Sequence, residues 1–319
     1  MRPSSPVVTP DPSPLTPHPS RLTLFLALSR TPHALLDMTT PALGALLWLG
    51  RIPSPRIILL GLVTAFAGYT AVYALNDLVD YRTDREKIAR CGLPCSADDL
   101  DAVYVRHPLA QGLLSLTEAV LWTAGWAALA LVGALLLNPV CALVFLAGCL
   151  AETIYCLLFR VSYLRILLSG VVKTAGGIAA VFAVEPDPSP GFLLVLFLWL
   201  LSWEVGGQNV PNDLADLDED REFAARTVPV HFGAARAARI AFYSLIGTVG
   251  FSQLLYWATP AALHPLYLPA ALVVSFILLI PPAGRLAAGP TAPAAAALFN
   301  RACYYPVAML LVVLLSSFI

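Results

Sequence analysis

Charge is what this chain has least of. Only 12% of its 319 residues are Asp, Glu, Lys or Arg, about half of the roughly 25% found in soluble domains. A water-soluble globule of this size is therefore excluded. Net charge is −1, with no basic block, so nucleic acid is not an expected partner. Cysteine is sparse, and Cys141, Cys149, Cys156 and Cys303 lie inside apolar runs, where they read as small core residues. Cys91 and Cys95 form a C-x-x-x-C pair with no second ligand pair nearby, so no zinc site is expected. The opening MRPSSPVVTPDPSPLTPHPS lacks the apolar segment of a secretion signal. Its Pro, Ser and Thr content predicts a disordered, Pro-rich cytoplasmic tail over 1–22, followed by a membrane domain over 23–319.

Hydrophobic residues are abundant: 58% of the chain, with a mean hydropathy of +0.76. Apolar runs of about 20 residues recur along the whole length, each sufficient to cross a bilayer as a helix. A membrane β-barrel would instead show short alternating segments. The predicted fold class is all-α, a polytopic integral membrane protein with about nine transmembrane helices. The first five spans are expected near Leu35–Leu49, Ile57–Ala74, Leu113–Leu137, Cys141–Leu158 and Ile166–Ala183. The other four are expected near Phe192–Val205, Ile240–Tyr256, Leu266–Ile280 and Tyr304–Ile319. The second and sixth should continue as helix beyond the membrane surface. Placing the N-terminus in the cytoplasm puts Arg82, Arg85, Lys87, Arg90, Arg106, Arg160, Arg221 and Arg226 inside, and leaves only Arg51 and Arg56 outside. That asymmetry orients the chain with both charged loops cytoplasmic.

The most informative feature is a duplication. Residues 76–86 read NDLVDYRTDRE and residues 212–222 read NDLADLDEDRE, with seven of eleven positions identical. Each copy is N-D-x-x-D-x-x-x-D and closes an apolar span. Residues four apart share a helix face, so Asn76, Asp80 and Asp84 form one stripe with Asp77 beside it. The second copy gives a longer stripe of Glu204, Gln208, Asn212, Asp216 and Asp220, with Asp213 beside it. Stacked like charges destabilise a helix unless something neutralises them. Mg²⁺ does this well, because it favours a few carboxylates, several waters and substrate phosphate oxygens. Two facing stripes would hold a diphosphate between two such ions. The eight candidate metal ligands are Asn76, Asp77, Asp80, Asp84, Asn212, Asp213, Asp216 and Asp220, with Asp80 and Asp216 the candidate catalytic carboxylates.

With these motifs the sequence resembles the UbiA superfamily of intramembrane prenyltransferases. The first copy matches the family's N-D-x-x-D-x-x-x-D. The second continues as D-R-E-F-A-A-R-T-V-P-V over Asp220–Val230, similar to the family's D-R-x-x-G-x-R-T-x-x-V. R-H-P-L-A-Q-G-L-L-S over Arg106–Ser115 resembles the family's R-P-L-x-x-G-x-I-S. Ala224 stands where the family carries Gly, and His107 is inserted between Arg and Pro. The family's Tyr-x-x-x-Lys is replaced by Tyr155 followed, one position late, by Arg160. The resemblance spans the chain from about Arg30 to its end. It implies a nine-helix bundle with a central cavity, two Mg²⁺ ions on the two motifs, and a polyprenyl diphosphate donor whose tail lies in an apolar tunnel.

The chemistry so implied is ionisation of an allylic C–O bond, with cationic side chains sharing the diphosphate charge. Lys173, inside the fifth span, is the sharpest candidate, because an intramembrane ionisable residue is by default functional. Arg85, Arg160 and Arg226 are the candidate diphosphate-binding residues. Asp37, Glu152 and Glu204 are candidate bases, and Tyr69, Tyr73 and Trp203 could shield a carbocation. The expected acceptor is aromatic or a quinone precursor. Alternatives are a lipid or phosphosugar acceptor, cyclisation of the donor itself, and a non-enzymatic divalent-cation carrier.

Overall fold

The computed structural model describes residues 19–91, 100 and 103–319. Most of the expected tail, and Cys95, lie outside the described residues. The first helix, α1 (Arg21–Leu28), already begins within the segment read as tail, with the Ser20 hydroxyl capping the Thr23 amide.

Every regular element among the described residues is helical. Eight helices are long and apolar enough to cross a membrane. The expected first span is interrupted: α2 (Thr31–Asp37) and α3 (Thr39–Leu49) meet at Met38. Next come α4 (Pro55–Cys91), α5 (Leu116–Leu137), α6 (Pro139–Leu157) and α7 (Arg165–Val184). Ser115 and Glu118 form a capping box that starts α5 three residues later than the hydropathy suggested. The second half runs α8 (Pro190–Trp203), a π-helical turn (Glu204–Asn209), α9 (Val210–Ala215), α10 (Leu217–Glu222), α11 (Val228–Phe232) and α12 (Ala234–Ala258). It closes with α13 (Tyr267–Leu278), α14 (Ile280–Ala288), α15 (Ala292–Cys303) and α16 (Tyr305–Phe318). Leu143, Leu150 and Leu157 are seven residues apart on α6 and remain 66%, 61% and 66% exposed. A stripe of bare leucine is the face a helix turns to lipid.

The bundle packs its bulk on one side. Trp199, Trp203, Tyr267 and Tyr305 are fully buried among α8, α12, α13, α15 and α16. Each polar tip is satisfied or shared: Trp199 Nε1 donates to Tyr305 Oη at 3.1 Å, Trp203 Nε1 to the Ala302 carbonyl at 2.9 Å, and Tyr267 Oη to the Ser252 carbonyl at 2.9 Å. Small residues bring helices close. A Cβ on Gly44 would sit 2.4 Å from the Gly177 carbonyl oxygen, so α3 and α7 meet backbone to backbone. Gly170 and Gly176 likewise receive the Leu201 and Tyr69 side chains.

Two breaks set up the site. Pro211 offers no N–H to the turn before it, and Gly206 and Gly207 lie directly upstream. The chain widens there into the π-helical turn, a bulge that recurs at functional positions. Gly206 is also where α12 presses in, since a Cβ there would be 2.6 Å from the Ala241 carbonyl oxygen. The second break follows α10, where Ala224 adopts φ 53°. The Ala225 amide donates to the Asp220 carbonyl at 2.9 Å, and the returning chain ties Arg226 N to the Phe159 carbonyl at 2.7 Å. An L-residue in this left-handed region is strained by about 1–2 kcal/mol, which explains a Gly in the related motif. Ala224→Gly is expected to stabilise the protein by up to about 1 kcal/mol, read as a higher unfolding temperature in detergent. An unchanged or lower value would show that the turn is not strained.

Candidate active site

Helix length carries both acidic motifs to one level. Asn76 lies 21 residues after the start of α4, and Asn212 lies 22 residues after the start of α8. At 1.5 Å per residue both are about 32 Å along their helices, which is the thickness of the hydrocarbon core. The first copy stays on the unbroken α4, as the helical extension of the second span predicts. The second copy is different: α9 ends at Ala215 and α10 begins at Leu217, so its stripe bends at Asp216. Register survives the bend, because the Asp216 amide still donates to Asn212 O at 3.1 Å and the Asp220 amide to Asp216 O at 2.9 Å.

The two copies face one polar cavity of about 120 Å³. All eight residues, Asn76, Asp77, Asp80, Asp84, Asn212, Asp213, Asp216 and Asp220, line it. Their six carboxylates are held apart by five basic groups. Arg30 donates to Asn76 Oδ1 at 2.9 Å and Asp77 Oδ1 at 3.1 Å. His107 Nδ1 lies 3.1 Å from Asp84 Oδ2 and 3.6 Å from Asp77 Oδ1. Arg106 reaches Asp216 Oδ2 at 3.0 Å, and Lys87 lies 3.5 Å from Asp220 Oδ1. Arg165 meets Asp213 Oδ1 at 3.2 Å, with its guanidinium over the Tyr155 and Phe159 rings. Burial opposes charging His107, but Asp84 and its hydrogen bonds to Asp77 and Asp84 outweigh it and raise its pKa to about 9. Burial raises the Asp220 carboxyl too, against the pull of Lys87. Both Arg30 (φ 43°) and His107 (φ 49°) sit in left-handed backbone, and both reach Asp77. Strain of this kind persists where the surroundings over-determine a residue, commonly at functional sites.

The donor set fits Mg²⁺. It is all hard oxygen from carboxylates and carboxamides on two opposed elements, and six carboxylates outnumber the basic groups sharing the cavity. Asp77 and Asp84 each bring one carboxylate oxygen to within 4.8 Å of the other, with the His107 imidazolium nitrogen equally near as their countercharge.

None of the three arginines expected to bind diphosphate lines this cavity. Arg85 donates to Tyr81 Oη at 3.2 Å, Arg160 pairs with Glu86 at 3.1 Å, and Arg226 is exposed. The cations that do line it carried partial signals. Lys87 lies three residues beyond Asp84 on the same face, and Arg106 opens the R-H-P-L segment. Arg165, at the start of α7, gave no pattern at all.

Above the polar cavity lies a second cavity of about 530 Å³, walled by α2 to α7, the π-helical turn and parts of α15 and α16. Arg30, Asn76, Tyr155 and Asn212 line both cavities and mark the junction. On α4 its apolar wall runs from Ile57 to Asn76, about 28 Å of helix. Lys173 belongs to this upper cavity and is absent from the acidic one. Its Nζ lies 2.5 Å from Asp37 Oδ2, 2.9 Å from Tyr73 Oη and 3.4 Å from His33 Nε2. The other candidate bases are also engaged: Glu152 accepts from Asn76 Nδ2 at 2.6 Å, and Glu204 from Ser169 Oγ at 2.5 Å.

Comparison with known proteins finds the same fold and a matching family. The UbiA prenyltransferase family model matches residues 38–313. Among solved structures, a UbiA homolog from Aeropyrum pernix K1 in its apo form is 19% identical, with a TM-score of 0.67, covering 89% of this chain and 97% of that one. A UbiA homolog from Archaeoglobus fulgidus bound to DMAPP and Mg²⁺ is 18% identical, with a TM-score of 0.64, covering 90% and 98%. Digeranylgeranylglyceryl phosphate synthase is 18% identical, with a TM-score of 0.66, covering 93% and 98%. No curated protein matches the chain.

Proposed function

Because this chain belongs to the UbiA prenyltransferase family, we propose that it transfers a prenyl group from a polyprenyl diphosphate to an aromatic or quinone-precursor acceptor within the membrane. The observation that carries this reading is the junction: a polar cavity lined by six carboxylates and a mainly apolar cavity of about 530 Å³ share Arg30, Asn76, Tyr155 and Asn212 in their walls. A molecule with a diphosphate head and an isoprenoid tail has that same division of chemistry. The solved relatives bound to DMAPP or GPP together with Mg²⁺ support it.

In this proposal Asn76, Asp77, Asp80 and Asp84 hold one Mg²⁺ ion, and Asn212, Asp213, Asp216 and Asp220 hold a second. When bound, Mg²⁺ neutralises charge on the leaving diphosphate oxygens. Arg30, Arg106, Lys87 and Arg165 orient the diphosphate, taking the place expected of Arg85, Arg160 and Arg226. Glu152, by accepting from Asn76, fixes that carboxamide's direction. Tyr155 at the junction, with Tyr69 and Tyr73 on the wall of the upper cavity, faces an allylic cation with aromatic rings, whereas Trp203 is buried in the core and lines neither cavity. The apolar wall keeps water from the cation until the acceptor takes it. The active-site loops and the N-terminus face the cytoplasm, as the placement of arginine supports.

The test is pyrophosphate release by the purified protein in detergent. Geranyl, farnesyl and geranylgeranyl diphosphates would be supplied with aromatic acids, quinol precursors and glycerol phosphates, with and without Mg²⁺. The expected result is Mg²⁺-dependent release, with one acceptor gaining the mass of a prenyl unit. Release without acceptor and with a hydrocarbon product would replace transfer by cyclisation. Divalent-metal flux in vesicles with neither diphosphate binding nor release would overturn the enzyme reading.

A further inference from the structure

The π-helical turn between α8 and α9 leaves three buried oxygens without a hydrogen-bond partner: Glu204 Oε2, Gln208 Oε1 and Asn209 Oδ1. Their residues are 3%, 2% and 7% exposed, and all three line the upper cavity. Unpartnered buried polar atoms are rare, and each calls for an explanation. Three on one six-residue turn, all acceptors, form a patch that lacks donors. The rest of each side chain is fixed. Glu204 Oε1 accepts from Ser169 Oγ, Gln208 Nε2 lies 3.6 Å from Cys303 Sγ, and Asn209 Nδ2 donates to Tyr155 Oη at 3.1 Å. The free oxygens are thus held in place by packing and second contacts rather than left to rotate.

We propose that this turn seats the acceptor substrate, and that the acceptor is a neutral hydroxyl-bearing head group, such as a phenol, quinol or alcohol. The inference rests on the transferase reading above and sharpens it. A hydroxyl hydrogen completes one of the three oxygens, and a second hydroxyl another. A carboxylate or phosphate at the same place would add a second anion beside Glu204, whose neighbouring cation, Lys173, already faces the Asp37 carboxylate. Lys173 Nζ lies 2.5 Å from Asp37 Oδ2, and Arg30 belongs to the diphosphate end of the site. The location suits transfer, because Asn209 touches Tyr155, which lines both cavities. A head group on the turn therefore lies beside the junction from which the allylic carbon emerges.

The test uses three probes of equal tail: 4-hexylphenol, 4-hexylanisole and 4-hexylbenzoate, titrated calorimetrically into the detergent-purified protein. The phenol is expected to bind roughly tenfold tighter than the anisole, the size of one hydrogen bond to a buried acceptor. The benzoate should bind weakest. Glu204→Gln or Gln208→Leu, whichever removes the oxygen that receives the hydroxyl, should bring the phenol and anisole within about twofold. Affinity for geranyl diphosphate with Mg²⁺ should stay unchanged, which also reports that the variants are folded. Wild-type protein that binds the anisole as well as the phenol, or prefers the benzoate, overturns the proposal. So does phenol preference that survives in both folded variants. The wild-type ranking decides even where a variant fails to fold. A protein that ranks the probes as expected yet never releases pyrophosphate would sink the transferase reading while leaving the hydroxyl site standing.

Discussion

Asp80→Ala and Asp216→Ala are each expected to lower the rate of pyrophosphate release by at least roughly 10²–10³-fold, the loss typical of removing one group that stabilises transition-state charge. Both variants should still insert, purify as a single species and unfold within about 2 °C of wild type. The asymmetry between activity and stability follows from where the two carboxylates sit. Each is only partly buried on the wall of the acidic cavity, among five other carboxylates. Removing one relieves like-charge repulsion and leaves no essential cation stranded, since Arg106 beside Asp216 is itself partly exposed. Asp213 would be a poor choice, because it is buried against Arg165, with side-chain exposures of 8% and 7%. Its loss would confound catalysis with unfolding. Asp218 is the control: it belongs to the same acidic run, but its side chain is 97% exposed, so Asp218→Ala should leave turnover unchanged. If Asp80→Ala or Asp216→Ala retained most of the activity, the stripes would not be the metal site. If Asp218→Ala were equally inactive, the effect would be general electrostatics of the loop.

Much of this site is written in spacing. Residues at intervals of four lie on one face of a helix, so Asn76, Asp80 and Asp84 converge as expected. Glu204 and Gln208 extend the second stripe as its interval suggests. The structure adds that this stripe changes surroundings along its length, from the apolar cavity at Glu204 to the acidic cavity at Asp216. What spacing cannot carry is which cation meets which anion across helices. Arg165 and Asp213 are 48 residues apart, and Arg106 and Asp216 are 110 apart. Those pairs depend on how helices pack, whereas arginines adjacent to the motif, such as Arg85, can simply turn toward solvent. Backbone departures were equally hidden. Nothing in a hydropathy profile marks Met38 as a break or Glu204–Asn209 as a π-helical turn, although Gly-Gly followed by Pro is a visible weakness. Ala224 and His107 were visible as departures from a motif. Only their positive φ values tell what each departure does to the backbone.

Lys173→Met is expected to destabilise the protein by about 3–5 kcal/mol, the usual cost of removing one partner from a buried ion pair. Lys173 is 13% exposed and Asp37 2%. With Lys173 gone, the Asp37 carboxylate keeps Tyr73 Oη at 2.5 Å and His33 at 3.6 Å, but loses its strong countercharge. The double variant Asp37→Leu/Lys173→Met should recover part of that loss, because it leaves no unpaired charge in the wall while Tyr73 and His33 lose a shared partner. Thermal unfolding of the two single variants and the double in detergent completes the cycle. The same set of variants separates two roles for an intramembrane lysine. A lysine that holds the donor's diphosphate would, when replaced, raise the KM for that donor and leave the unfolding temperature alone, and the double variant would restore nothing. A lysine that braces the α2–α4–α7 wall lowers the unfolding temperature when replaced, and the double variant restores part of both stability and donor affinity. The placement of Lys173 on the upper cavity, away from the acidic one, favours the second outcome. In that outcome the ammonium holds Asp37, His33 and Tyr73 in a fixed wall of the upper cavity.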